Sequence, residues 1–168
     1  MKKKIIATMM SMILGVSLLT GCGGAVETPK LEGSCADIMN QVYENAQLDA
    51  ELKEAMAYYE TTVISEETEE YILGTDEVDY IDSAYSAPMM SSVAYQCVVL
   101  RLEPDEDVLK AKQELIDHAD PIKWICVEAE EVVVENVGDV VLYVMADRQT
   151  ADAIKTAFLA LADSQSTN

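Results

Sequence analysis

The segment "EVVVENVGDVVLYVMA", Glu131 to Ala146, constrains the fold most. Two valine-rich runs flank Asn136–Asp139, and Gly138 can take the positive φ that a tight turn demands, so the segment predicts a β-hairpin. A second strand source is "VAYQCVVLRL", Val93 to Leu102, β-branched and mostly apolar, as a buried strand should be. Ahead of it, "DYIDSAYSAPMM", Asp79 to Met90, lacks helical spacing and contains Pro88, which predicts an extended edge or irregular strand.

Each strand pair is followed by an amphipathic segment. Val108, Leu109, Lys112, Leu115 and Ile116 mark a helix running to about His118, with Asp105 expected as its cap. Ile154, Ala157, Phe158 and Leu161 mark a closing helix from near Thr150. "ADPIKWICVEA" between them gives no clear pattern. Two strand–strand–helix units offset by about 45 residues predict an α+β fold, one antiparallel sheet with helices on one face. The two units share little residue identity, so an internal duplication is only weakly suggested.

An N-terminal helical part precedes the sheet. "SCADIMNQVYENA" puts Ile38, Met39, Val42, Tyr43 and Ala46 on one face, with Ser34 as N-cap and Asp37 in the first turn. "LDAELKEAMAYYE" repeats the spacing through Leu48, Leu52, Met56 and Tyr59, leaving open two helices or one broken helix. "SEETEEYILG" predicts a short helix capped by Ser65 and ended by Gly74.

The chain opens "MKKKIIATMMSMILGVSLLTGC". Lys2, Lys3 and Lys4 precede an apolar run from Ile5 to Leu19 that Thr8, Ser11, Gly15 and Ser17 interrupt. A secretory signal has an apolar core of roughly 7–15 residues, while a membrane span needs about 20. Residues 1–21 therefore read as a cleaved signal. Leu19, Thr20 and Gly21 before Cys22 look like a bacterial lipobox, in which the cysteine thiol receives a diacylglycerol and becomes the new N-terminus. Two acyl chains satisfy what stable anchoring requires. The alternative is an ordinary signal peptide with an incidental cysteine. The expected organisation is signal 1–21, tether 22–33, a single domain 34–163 and a polar tail 164–168. The bilayer, through diacylglyceryl-Cys22, is the first expected partner.

The chain carries 11 basic and 31 acidic side chains, net −20, and loss of the three leading lysines takes this to −23. Such a field opposes nucleic acid and anionic lipid as partners of a basic patch. Cys35, Cys97 and Cys126 then form an odd set, with no CxxC or His/Cys spacing for zinc. Buried reduced thiols and a Cys97–Cys126 bridge are the two readings open.

Catalytic signatures are lacking. The single histidine, His118, ends a helix beside Asp117 and Asp120, a placement that helix electrostatics alone favour. No phosphate loop, HExxH or GxSxG occurs. Carboxylates abound at Glu66–Glu70, Glu103–Asp107 and Glu128–Glu131, and no cluster stands out. "EPDED" lacks the glycine and distal glutamate of a calcium loop. Neither a metal nor a cofactor is called for. Tyr85, Met89 and Met90, around Pro88, form the one candidate ligand-binding surface, soft and adaptable. The duller reading of "AYSAPMMSS" is an edge strand turning into the core strand.

The stretches "SEETEEYILGTDEVDYI", "SAPMMSSVAYQCVVLRL", the Asp105–His118 helix and "VENVGDVVLYVMAD" resemble a family of small lipoproteins of clostridial Gram-positive bacteria, catalogued as domain of unknown function 4358. The resemblance runs from about Ser34 to Ala162. In that family an acidic residue often stands near the start of the strand after the "MM" segment; here Tyr95 and Gln96 occupy the neighbourhood. The resemblance implies a membrane-anchored lipoprotein with an α+β domain and no known reaction. The expected function is a non-enzymatic, extracytoplasmic binding module on the outer face of the membrane, acting through contacts with an envelope protein or a small ligand. A carboxylate-dependent envelope enzyme, or a regulatory subunit of one, is the alternative.

Overall fold

The computed structural model describes residues 30–90 and 92–165. The signal segment 1–21 and Cys22 lie outside the described residues. Among the described residues, five helices and five strands follow the order α1 (Cys35–Asn45), α2 (Ala50–Met56), β1 (Glu60–Thr62), α3 (Glu69–Leu73), β2 (Tyr80–Ala87), β3 (Gln96–Leu102), α4 (Val108–Asp117), β4 (Glu131–Val137), β5 (Val140–Ala146) and α5 (Arg148–Gln165). The strands form one antiparallel sheet in the order β1-β2-β3-β5-β4, so the α+β class and the N-terminal helical part are as read from the sequence.

Local chemistry sets most boundaries. Ser34 and Asp37 form a capping box that satisfies free N–H groups at the start of α1. The Cys35 N–H donates to Asp82 Oδ2 at 2.7 Å, pinning that helix start to β2. Asp49 caps α2 through the Leu52 N–H, which resolves "SCADIMNQVYENA" and its successor as two helices. Gly138 turns the β4–β5 hairpin at φ 59°. Gly74 ends α3 in the left-handed region at φ 82°.

Several expectations shift. The cap of α4 is Asp107, which accepts from the Leu109 and Lys110 N–H groups, and not Asp105. Of the acids in "EPDED", Asp107 is the one positioned to cap a helix whose Ala111 and Leu115 face the core. Ser65 starts a hydroxyl-braced turn with Thr68 and the helix proper begins at Glu69. β2 is not an edge strand, because the three-residue β1 pairs outside it. The closing helix starts at Arg148 and runs to Gln165, two residues into the expected tail. Leu31, placed in the tether, is buried in the core, and the Arg101 guanidinium binds both the Leu31 and Gly33 carbonyls (3.0 and 2.9 Å) while pairing with Asp139.

The expectation of helices on one face is also corrected. Cys97 and Val99 of β3, with Val140, Leu142 and Val144 of β5, pack against α1 and α5, where Ile38, Met39, Ile154 and Phe158 are fully buried. Val98, Leu100 and Leu102, with Val141, Tyr143 and Met145, pack on the opposite face against α3 and α4 through Ile72, Leu73, Ala111 and Leu115. Both parities of β3 and β5 are apolar, and two apolar faces need two covers. The arrangement also argues against a duplication. β3 and β5 pair antiparallel, so a two-fold relating the two units would run through the sheet and keep α4 and α5 on one face; they lie on opposite faces.

All three described cysteines are free thiols. Cys35 and Cys97 are buried, as one reading held, whereas Cys126 is exposed; the Cys97–Cys126 bridge does not form. Burial, reinforced by the Asp82 carboxylate, pushes the Cys35 thiol up to about 12, and burial does the same to Cys97.

Candidate functional site

On the face covered by α3 and α4, a cleft of about 490 Å³ opens at the end of the sheet where β5 finishes. Its floor is Tyr143 and Met145 of β5, whose side chains touch through a Tyr143 hydroxyl hydrogen bond to the Met145 sulfur at 3.4 Å. One wall is α3, with Glu70, Tyr71 and Ile72. The other is the end of α4 and the following loop, with His118, Asp120 and Lys123. The walls meet tightly at Gly74, where a Cβ would fall 2.1 Å from the His118 carbonyl oxygen.

Lys123 organises the cleft. Its ammonium donates to the Tyr71 carbonyl at 2.9 Å, capping an otherwise free acceptor near the C-terminus of α3. It also stands 4.6 Å from the Tyr71 ring centroid and 5.7 Å from that of Trp124. Burial lowers its pKa to about 8, with Asp120 opposing the shift. The loop is closed on itself by the Ala129 N–H bonding the Pro121 carbonyl at 2.8 Å. His118 caps α4, its Nδ1 lying 3.0 Å from the Glu114 carbonyl, so its place at the helix end is explained by the fold.

Behind the cleft, Gln96 is fully buried and donates through Nε2 to the Ile72 carbonyl at 3.1 Å. Gln96 pairs with Met145 across the ladder, so it buttresses two lining residues. The amide bonds β3 to α3 without a charge.

The sequence-predicted trio separates into two settings. Tyr85 lies half-buried on β2, on the same sheet face as the cleft, and its hydroxyl pKa is raised by burial and by nearby Tyr71. Met89 and Met90 lie beyond the end of β2 and are 86% and 69% exposed. The cleft is not lined by any of the three, although Tyr71 links it to Tyr85. Sequence reading missed Lys123, Tyr71 and Trp124. The available signal was a lysine beside the only tryptophan of an acidic chain, in a segment without periodicity.

A second polar group lies on the other face. The Tyr43 and Tyr95 hydroxyls are 2.8 Å apart, and the Tyr59 ring lies 5.2 Å from that of Tyr95. Tyr43 and Tyr59 line a shallower cleft of about 420 Å³ between α1 and α2. Burial holds the Tyr43 and Tyr95 hydroxyls protonated far above their ordinary range, so this group packs and hydrogen-bonds without supplying a base. Among the described residues, no group of three or more His, Cys, Asp or Glu side chains is placed to hold a metal ion, and no helix is long and apolar enough to cross a membrane. No protein-family model, curated protein or solved structure matches this chain.

Proposed function

We propose that this chain is a lipid-anchored, extracytoplasmic interaction module, tethered through diacylglyceryl-Cys22 and resembling the domain of unknown function 4358 lipoproteins. It binds an envelope protein and does not turn over a substrate. One observation carries the binding reading: in the Lys123 cleft the lysine and the histidine are engaged by the fold, and an exposed aromatic stands beside the Glu70 and Asp120 carboxylates. Lys123 is committed to the Tyr71 carbonyl and His118 to its own helix end, whereas Tyr71 stays 61% exposed. A rigid, exposed aromatic beside a desolvated cation suits recognition. On the anchoring reading, the docking of Leu31 sets the length of the tether. If the folded unit begins at Leu31, the eight residues 23–30 remain as tether, at most about 30 Å when extended. The cleft would then work close to the bilayer.

A photo-crosslinking residue tests the binding site. Placed at Tyr71, it is expected to capture a discrete adduct in intact cells, whereas the same residue at Tyr58, 76% exposed on the far side of the domain's helical part, is expected to give none. Absence of an adduct at Tyr71, or equal capture at both positions, contradicts the site.

A further inference from the structure

We propose that β4 is a homodimerisation edge, on which a second copy of this chain pairs antiparallel to make a continuous ten-stranded sheet. The two edges of the sheet differ. β1 is three residues long, which blunts that edge. β4 offers seven residues, Glu131–Val137, in unbroken register with β5 and without a proline, glycine, lysine or bulge. Natural sheets usually protect a long edge with such devices or with charged side chains; on β4 the charges are Glu131 and Glu135, each paired to a helix side chain. Among the described residues, no backbone hydrogen bond leaves the outer side of β4.

The helices flanking this edge carry apolar residues on the same side. On α4, Leu109, Lys112 and Ile116 share a stripe at helical spacing. Lys112 Nζ reaches β4 at Glu135 (3.1 Å) and Asn136 (3.2 Å), so the stripe overhangs the edge. Leu109 is 76% and Ile116 47% exposed. On α5, Leu159 is 40% exposed and follows the stripe of Arg148 and Lys155, of which Arg148 pairs with Glu131 at 2.8 Å.

Charge selects a second copy as the occupant. Most of the surface of this −20 chain repels its like, but both β4 carboxylates are neutralised, Glu131 by Arg148 and Glu135 by Lys112. A two-fold axis at Val134 would set Glu131 opposite Val137 and Glu135 opposite Val133, so no carboxylate faces another across the ladder. The same axis brings Leu109 of one copy to Ile116 of the other, a self-complementary contact. Long-range repulsion between the acidic remainders is screened beyond about 8 Å at physiological salt. On the anchoring reading, an axis along the membrane normal lets both tethers reach one bilayer.

Sedimentation velocity of the full chain in detergent tests the edge, without needing Cys22 to be lipidated. The wild type is expected to sediment as a dimer at 10 μM and to tighten as salt rises from 0.05 to 0.5 M. A Leu109→Glu, Ile116→Glu double variant is expected to weaken dimerisation at least tenfold. Both positions are exposed, so its circular dichroism should match the wild type, and its unfolding midpoint should match that of wild type diluted until it is monomeric. A wild type monomeric throughout, a dimer indifferent to the double substitution, or one loosened by salt overturns the proposal.

Discussion

Replacing Gly74 with alanine is expected to destabilise the domain by about 3 kcal/mol or more, among the largest effects of any single methyl addition. Two costs add. At φ 82° a Cβ meets the left-handed penalty, about 1–2 kcal/mol for an L-residue. The new methyl would also sit 2.1 Å from the His118 carbonyl oxygen and 2.9 Å from its carbon, both backbone atoms that no rotamer change can move. The end of α3 must therefore separate from the end of α4, opening the Lys123 cleft from behind. Gly33→Ala is the control. Its φ of 93° carries the same penalty, but its Cβ would approach only the Asp37 side chain, at 3.3 Å. Denaturant unfolding of the two variants should separate them by more than about 1 kcal/mol, since the left-handed term cancels between them. Equal losses would show that the α3–α4 junction yields freely.

The second large effect is alkaline lability. Cys35 and Cys97 hold their protons to about pH 12 in the folded state, against an ordinary thiol value of 9. Between those values the unfolded chain binds fewer protons than the folded one, so stability falls as pH rises. Each thiol contributes a slope of roughly 1.4 kcal/mol per pH unit across that window. Their contribution is complete below pH 9. Tyr43 and Tyr95, raised by burial, add to the loss above pH 10. Lys123 works in the opposite sense. Its folded pKa of about 8 lies below the ordinary 10.5, so the cost of burying its charge is relieved as pH rises between those values. The expected curve is therefore level near pH 8–9 and declines increasingly steeply from there to pH 11. Unfolding free energies measured at half-unit intervals check this. A stability unchanged from pH 9 to 11 would contradict the burial of the two thiols.

What the sequence disclosed was mostly what neighbours along the chain decide. Ser34 with Asp37, Gly74, and Gly138 between valine runs each fix a boundary by local hydrogen bonding or φ, and all stand where read. The inward face of α5 was equally readable, because Ile154, Ala157, Phe158 and Leu161 keep a single helical stripe. The layering was not. Whether "QCVVLRL" is covered on one side or both depends on which face α4 crosses, and the apolar residues at both parities were the signal for two covers. β1 carries no signal of its own, as its three exposed residues are strand only through pairing with β2. The cleft was invisible for a related reason. Tyr71, His118, Lys123 and Tyr143 converge through the stacking of α3, the α4 end and β5, and no spacing in the chain records that contact.

The reading of this domain as a lipid-anchored module stands on one atom, the Cys22 sulfur. Intact mass spectrometry of the protein extracted from its native membrane measures its state directly. The expected species begins at Cys22 and carries a thioether-linked diacylglycerol, and Cys22→Ala abolishes both the added mass and the membrane retention. A native protein that keeps residues 1–21, or that begins elsewhere with an unmodified Cys22 thiol, would contradict it.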